Sequence, residues 1–398
     1  MAPLRVMCTC LPGWGHFLPM LSLARAVAEA GHVVAFATAE DFCPRIEQTG
    51  FAAFPAGLSL PEQLAQAARR FPEQHALPHG KERFCEFVPR MLAGVAAPER
   101  AGDLMNVFAR WRPDILVHDE TDFGGPVAAA VCGVPYADHS VGFLRPLRMA
   151  RLARAILHPL WDRWDVDLGE HGGLFRYLYL DVCPPSLQSA EIGEIAVAHP
   201  MRNTDVDPGG DTLPSWVSKL RPAPTVYVSL GTIFDRGQEV FAAVLEGLRD
   251  EYLNVIVTVG NQNDPAALGP QPDNVHIERF IPQALLLPFC DVVVNQGGTA
   301  ILPILAHALP LLVLPQRANQ FHNAEACVAA GVARRLLPHE VTAEAVRTAV
   351  LALLRQPTYR RRSREVAEEI ARMPHPAEAV RLLERLAEER APLTRAPL

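Results

Sequence analysis

The sequence predicts an α/β chain of two doubly wound, Rossmann-like parallel-sheet domains. Three observations carry that expectation. Short apolar runs end in polar or Gly-bearing turns, and a helical pattern follows each turn. This strand–turn–helix order occurs on both sides of a loop-like stretch, Thr204 to Pro224, which holds Asp207-Pro208-Gly209-Gly210-Asp211 and Pro214, Pro222 and Pro224. At 398 residues the chain is also long for a single hydrophobic core.

Taken in order, Leu4 to Cys10 reads as the first strand and Pro12-Gly13-Trp14-Gly15-His16 as its turn. A helix follows, apolar at Leu18, Leu21, Leu23, Ala24, Val27 and Ala28, and stops at Gly31; Val33–Thr38 is the next strand. Only Gly13 and Gly15 are present in the first turn, with no third glycine, so a dinucleotide fingerprint is not expected. Residues 55 to 90, punctuated by Pro55, Pro61, Pro72 and Pro78, read as loops and short helices. Asp114–Asp119 is a strand with a polar tip, followed by a helix from about Phe123 and a strand over Val134–Ala137. Residues 141 to 180 are aromatic and Arg-rich, with Trp161, Trp164, Phe175 and Tyr179 open to core packing or to an aromatic wall for an apolar ligand.

Beyond the loop-like stretch, Thr225–Leu230 is a strand with Gly231-Thr232 as its turn, then a helix over about 238–249. Strands are expected at Val255–Val259, Val275–Ile277, Val292–Val294 and Leu311–Leu314, and helices at about 342–355, 358–372 and 376–390. The domains are therefore expected at 1–203 and 225–375, joined by a 204–224 linker. The last helix, 376–398, is expected to pack back on the first domain. The halves share an architecture, not a sequence repeat.

Bulk properties exclude several classes. Hydrophobic residues make up 49% and charged residues 20%, as in a globular protein with ample core. A formal net charge of −7 argues against nucleic acid or an anionic membrane as the main partner. Arg360-Arg361-Arg362 with Arg364 reads as a solvated helix face. The eight cysteines form no Cys-x-x-Cys pair and mostly lie in apolar runs, which points to a reducing compartment. With no signal-peptide pattern at the N-terminus and no apolar run near ~18 residues, a cytoplasmic chain without a membrane span is expected.

Two places carry chemistry. Gly297-Gly298-Thr299, after the Val292–Val294 run, can present backbone N–H groups and a helix N-terminus to a phosphate, and this segment is read as holding the diphosphate of a nucleotide-sugar. His16 lies at the carboxyl edge of the first sheet, where it is either a capping or structural histidine or a base for a hydroxyl proton. Asp119 stands where it orients His16 or else caps the next helix, a task that Asp122 also suits. His118, Asp119, Asp122 and His139 do not match a recurring metal-ligand spacing, so no metal site is expected.

Gly15-His16-Phe17-Leu18-Pro19, Asp181-Val182-Cys183-Pro184-Pro185-Ser186-Leu187-Gln188, Ser229-Leu230-Gly231-Thr232, Phe280-Ile281-Pro282-Gln283, Gly297-Gly298-Thr299 and the Gln320 turn occur in that order. Together they resemble the nucleotide-sugar-dependent glycosyltransferases of the GT-B fold, in particular the bacterial enzymes that decorate macrolides, enediynes and aromatic polyketides. The resemblance implies two Rossmann-like domains facing across a cleft, with the acceptor mostly on the first and the donor on the second. It implies an inverting, metal-independent transfer from a TDP- or UDP-sugar co-substrate to a hydrophobic natural-product acceptor, with no cofactor. It makes His16 the general base and Asp119 its charge partner. On the donor side, Phe280 matches the ring that stacks on the base and Ile281 offers backbone groups to the base edge. Gly231, Thr232, Gly298 and Thr299 match diphosphate contacts, and Gln320 a contact to sugar hydroxyls. Gly15, Gln283, Asn295, Gly297 and Asn319 complete the expected donor set. The assembly is left open, a homodimer included.

Two positions depart from the family's pattern. A histidine usually stands at Asn295 and an acid at Asn319. Asn295 still donates a hydrogen bond but carries no positive charge, and loss of the carboxylate at Asn319 changes how sugar hydroxyls are read. These departures imply an unusual donor such as a deoxy or amino sugar. The competing expectations are a catalytically weak or inactive partner protein on the same fold and a nucleotide-sugar epimerase.

Overall fold

The computed structural model describes residues 2–203, 212–231, 237–260 and 263–395. The chain divides into two compact units: Met1–Pro184 with Gln188–Val206 and Met373–Leu398, and Pro185–Leu187 with Asp207–Arg372.

In the first unit the chain runs through β1 (Arg5–Thr9), α1 (Trp14–Glu29), β2 (Val33–Thr38), α2 (Cys43–Glu47) and β3 (Ala52–Pro55). The helices α3 (Leu60–Arg70), α4 (Pro72–Ala76), α5 (Lys81–Met91) and α6 (Ala97–Trp111) come next. They lead into β4 (Ile115–Asp119), α7 (Gly124–Cys132), β5 (Tyr136–His139), α8 (Leu147–Trp164), β6 (Tyr179–Asp181) and β7 (Ala198–Pro200). The seven strands pair in parallel in the order β3-β2-β1-β4-β5-β6-β7. Every residue of β4 is buried, as expected of a strand covered on both faces.

The second unit holds β8 (Thr225–Ser229), α9 (Gly237–Leu248), β9 (Asn254–Thr258), β10 (Val275–Glu278), α10 (Gln283–Leu286) and β11 (Val292–Asn295). It continues with α11 (Ile301–Ala306), β12 (Leu311–Val313), α12 (Gln320–Ala329), β13 (Ala333–Arg335), α13 (Ala343–Arg355) and α14 (Pro357–Arg372). Its six-stranded parallel sheet has the order β10-β9-β8-β11-β12-β13. One face of that sheet, with Val226, Val228, Val292 and Val294, packs on Val244 and Leu248 of α9 and Val350 of α13. The last helix, α15 (Pro376–Glu389), packs on α1 within the first unit.

In each sheet the winding direction reverses once, between β1 and β4 and between β8 and β11. Such switch points leave a crevice outside the carboxyl ends of two neighbouring strands, where ligands bind in open α/β sheets.

Residues 55 to 90, expected as loops and short helices, hold the helices α3, α4 and α5 joined by short loops. Pro61 and Pro72 stand in the first turns of α3 and α4, where the missing N–H has no partner to lose, so these prolines start helices rather than interrupt them. Ser59 and Glu62 also form a capping box. The strand expected at Val134–Ala137 is shifted to Tyr136–His139, which brings His139 into the sheet. Residues 212–224, expected within a linker, belong to the second unit. Trp216 stacks on His276 of β10 at 4.0 Å and its Nε1 donates to Glu278 at 3.2 Å. The remainder of that expected linker, 204–211, lies outside the described residues. All eight cysteines are free thiols and Cys132 is the exposed one. Among the described residues no helix is long and apolar enough to cross a membrane.

Candidate active site

The switch point of the first sheet assembles His16 and Asp119. β1 and β4 lie side by side with Thr9 opposite His118, so the turns leaving both strands start at the same edge. Gly13, in extended conformation, opens α1 and places His16 in its first turn beside Gly15. Asp119 closes β4. Its Oδ2 lies 2.9 Å from His16 Nδ1 and accepts the Leu11 amide at 3.0 Å, and its Oδ1 accepts from the amide and hydroxyl of Thr121. Burial would raise the Asp119 carboxyl, but the charge of His16 and the hydrogen bonds from His16, Thr121 and Leu11 hold it well below the usual carboxylate range. An ionised Asp119 accepts from Nδ1–H of the imidazole, so Nε2 is the ring nitrogen placed to take a proton. The His16 side chain is 21% exposed and Asp119 fully buried, so the base reaches solvent while its partner does not.

Asp122, not Asp119, serves α7: its Oδ1 accepts the Gly124 and Gly125 amides, both at 3.0 Å. Its Oδ2 accepts the Thr9 hydroxyl, with Arg100 Nη1 3.7 Å away. His118 places Nε2 3.2 Å from Asp138 and Nδ1 3.1 Å from the Asp119 carbonyl. His139 is buried, and burial pushes its imidazole down to about 4. Among the described residues no cluster of His, Cys, Asp or Glu is arranged to hold a metal.

Two cavities open beside this turn. One is lined by Leu11, Arg100, Thr121, Asp122 and Phe123. The other shares Leu92 and Phe123 with it and is lined mainly by apolar residues, among them Leu147, Met149, Ala150, Leu174 and Phe175. Its polar lining residues are Glu120 and Arg145, which the motif reading did not single out. Glu120 follows Asp119 directly, yet nothing in the sequence marks it as buried. Trp161 of α8 instead packs in the core.

The switch point of the second sheet gathers the glycine turns. Asn295 closes β11; its Oδ1 accepts the Gly297 amide at 3.0 Å, and its buried Nδ2 has no partner among the described residues. Gly297 has φ +91°, and a Cβ there would lie 2.8 Å from Val313 Cγ1, so both backbone and space require glycine. Asn323 of α12, which the motif reading passed over, donates to the Gly297 carbonyl at 2.9 Å and fixes the turn from behind. The amides of Gly298 and Thr299 have no protein acceptor among the described residues. The helix after them, α11, has six residues, with Pro303 in its first turn. Its dipole is therefore smaller than the sequence reading assumed, and the loose amides are the main donors.

Gly231 follows β8 at φ +84°, with the side-chain amide of Gln296 packed against it and close to Gly298. Gln296 thus lies between the two glycine turns. Thr232 lies outside the described residues. Gln320 uses Oε1 to accept the amides of Gln316 and Arg317, at 2.8 and 3.0 Å, which closes the turn ahead of α12. Asn319 immediately precedes α12, and its side chain makes no capping bond. Phe280 is 49% exposed, Ile281 is buried and Gln283 begins α10. Gly15 belongs to the first unit and the other expected donor residues to the second.

Comparison with known proteins agrees with this architecture. The N-terminal domain of the erythromycin biosynthesis protein CIII-like family matches residues 25–231 and its C-terminal domain residues 242–386. The chain is 32% identical to the L-demethylnoviosyl transferase of Streptomyces niveus, over 94% of this chain and 96% of that one. It is 28% identical to the aclacinomycin-T 2-deoxy-L-fucose transferase of Streptomyces galilaeus, over 97% of each. The glycosyltransferase SsfS6 of Streptomyces sp. SF2575, solved with thymidine diphosphate, superimposes with a TM-score of 0.78 at 25% identity, over 96% of this chain and 99% of that one. The chain belongs to the erythromycin biosynthesis protein CIII-like family and is a GT-B-fold glycosyltransferase of the bacterial natural-product group.

Proposed function

We propose that the protein transfers a deoxysugar from a nucleoside-diphosphate donor, a thymidine diphosphate sugar first, to a hydroxyl of a hydrophobic natural-product acceptor, with inversion. The acceptor O–H proton passes to His16 Nε2. The acceptor oxygen attacks the anomeric carbon, and the bond to the diphosphate breaks with its electron pair on the departing oxygen. Asp119 holds the imidazole tautomer and offsets the positive charge that His16 acquires. The amides of Gly298 and Thr299 and the Asn295 Nδ2 stabilise the charge on the leaving diphosphate without a metal ion.

The observation that carries this reading is the 2.9 Å contact between His16 and a buried, ionised Asp119. The deoxysugar is supported by the name of the Streptomyces galilaeus relative, and thymidine diphosphate by its presence in SsfS6. His16→Ala tests the reading. It is expected to keep thymidine diphosphate binding and to lower turnover by at least ~10²-fold. The anomeric configuration of the product, read by NMR against that of the donor, tests inversion. Unchanged turnover removes His16 from the mechanism, and retained configuration removes the single displacement.

A further inference from the structure

Gln296 stands between Asn295 and Gly297 in the second unit and is half-buried, so its side chain keeps contact with solvent. Its carboxamide folds over the turn that follows β8. A Cβ on Gly231 would lie 2.4 Å from Gln296 Nε2 and 3.2 Å from its Cδ, so the missing side chain at 231 is what makes room for the carboxamide. The same Nε2 lies 3.3 Å from where a Cβ would stand on Gly298. One side-chain nitrogen therefore rests against both glycine turns, just beyond the point where Asn295 of β11 stands opposite Ser229 of β8. Among the described residues neither end of the carboxamide has a hydrogen-bond partner.

The charge at this turn gives that donor its weight. The run from Asn295 to Thr299 holds no cationic side chain, so a diphosphate seated on it is met there by neutral N–H groups alone. The open backbone amides belong to Gly298 and Thr299, on the β11 side. Gln296 carries two further N–H groups across to the β8 side, above Gly231. We propose that Gln296 is a diphosphate-binding residue, whose carboxamide donates to a phosphate oxygen from the β8 side of the crevice while the Gly298 and Thr299 amides donate from the β11 side. This rests on the reading of the second switch point as the diphosphate site. It also changes the part expected of Gly231. Glycine is needed there to admit Gln296, and the carboxamide, not the Gly231 backbone, meets the phosphate.

Calorimetric titration of the full-length protein with thymidine diphosphate and with thymidine tests this, because the two probes differ only in the phosphates. Gln296→Met keeps the length of the side chain and removes the donor. It is expected to bind thymidine diphosphate about tenfold more weakly than the parent and thymidine within about twofold. Gln296→Glu keeps the shape and sets an anion against the phosphates. It is expected to weaken thymidine diphosphate by about 10²-fold at pH 8, again with thymidine unchanged. Two variants keep the inference testable should one not fold. Thymidine diphosphate affinity within about twofold of the parent in either variant overturns it and leaves the diphosphate site standing. An equal loss of both probes, with a lowered melting temperature, also overturns it, by assigning Gln296 to the shape of the turn. A parent that binds thymidine as tightly as thymidine diphosphate overturns the diphosphate site itself, and this inference with it, so the two failures are told apart.

Discussion

Asp119 Oδ2 lies 2.9 Å from His16 Nδ1, although 103 residues separate them along the chain. The winding of the sheet brings them together: β1 and β4 are neighbours because the strand order reverses there, and both residues sit just beyond that shared edge. The second sheet repeats the device, with Gly231 after β8 and Asn295 ending β11 at the corresponding reversal. Each unit thus carries its chemistry where parallel topology leaves an open crevice.

Asp119→Asn follows first. The amide fits the same space, but it carries no charge to oppose a protonated His16 and no longer dictates which ring nitrogen bears the proton. Turnover is expected to fall by about 10²- to 10⁴-fold. Thymidine diphosphate affinity, measured by calorimetry, is expected to stay within about twofold, because Asp119 and the glycine turns belong to different units. A loss of nucleotide binding equal to the loss of turnover would assign Asp119 a structural role instead.

Glu120 gives a pH signature in stability. Burial first, and then the nearby Asp119 and Asp181, push its carboxyl up to about 7 against the pull of Arg145 and Tyr179. Between about 4.5 and 7 the folded protein therefore holds a proton that the unfolded chain has released. Stability falls as pH rises through that window, by up to about 3 kcal/mol from this group. Asp138 and Asp181, both pushed up to about 6 by burial, act in the same direction. His139, pushed down to about 4, acts oppositely, its contribution being lost as pH falls below about 6.5. Glu120→Gln removes one proton from this balance. Its unfolding free energy relative to the parent is expected to rise between pH 5 and pH 8; a constant difference would contradict the shift.

Much of this was legible in the sequence, and the gaps have physical causes. The strand-ending turns stood out because an apolar run must stop where its backbone meets solvent, and His16, Asp119 and Gly297 are the polar or Gly-bearing ends of such runs. The short helices expected over 55–90 have no legible bounds, because a proline marks a helix start as readily as a break, and Pro61 and Pro72 stand in first turns. β3 and β13 are sheet-edge strands of four and three residues, too short for any alternation to show. Asn323 and the Glu120–Arg145 pair act through tertiary neighbours 26 and 25 positions away, and no local pattern records such contacts.

Gly297 and Gly298 are adjacent but not equivalent. Alanine at 297 meets φ +91° and Val313 Cγ1 at 2.8 Å, whereas alanine at 298 meets the mobile end of Gln296 at 3.3 Å. Gly297→Ala is expected to cost about 1–3 kcal/mol of stability and to weaken thymidine diphosphate binding at least tenfold. Gly298→Ala is expected to leave thermal unfolding within about 0.5 kcal/mol of the parent. Equal melting temperatures for the two variants would refute the geometry assigned to this turn.

Asn295 decides whether the second switch point holds an anion. Its Oδ1 is engaged by the Gly297 amide, and its buried Nδ2 is a donor without a protein partner. Asn295→Asp preserves the Gly297 bond and exchanges that donor for an anionic oxygen. Facing a diphosphate, the new charge is expected to weaken thymidine diphosphate binding at least tenfold at pH 8. Burial and the bound anion both favour the protonated acid, which can donate again, so affinity is expected to recover as pH falls. Melting temperature monitors the fold across the same series. A dissociation constant that matched the parent at every pH would mean that the diphosphate lies elsewhere, and that Asn295 shapes the turn without touching the ligand.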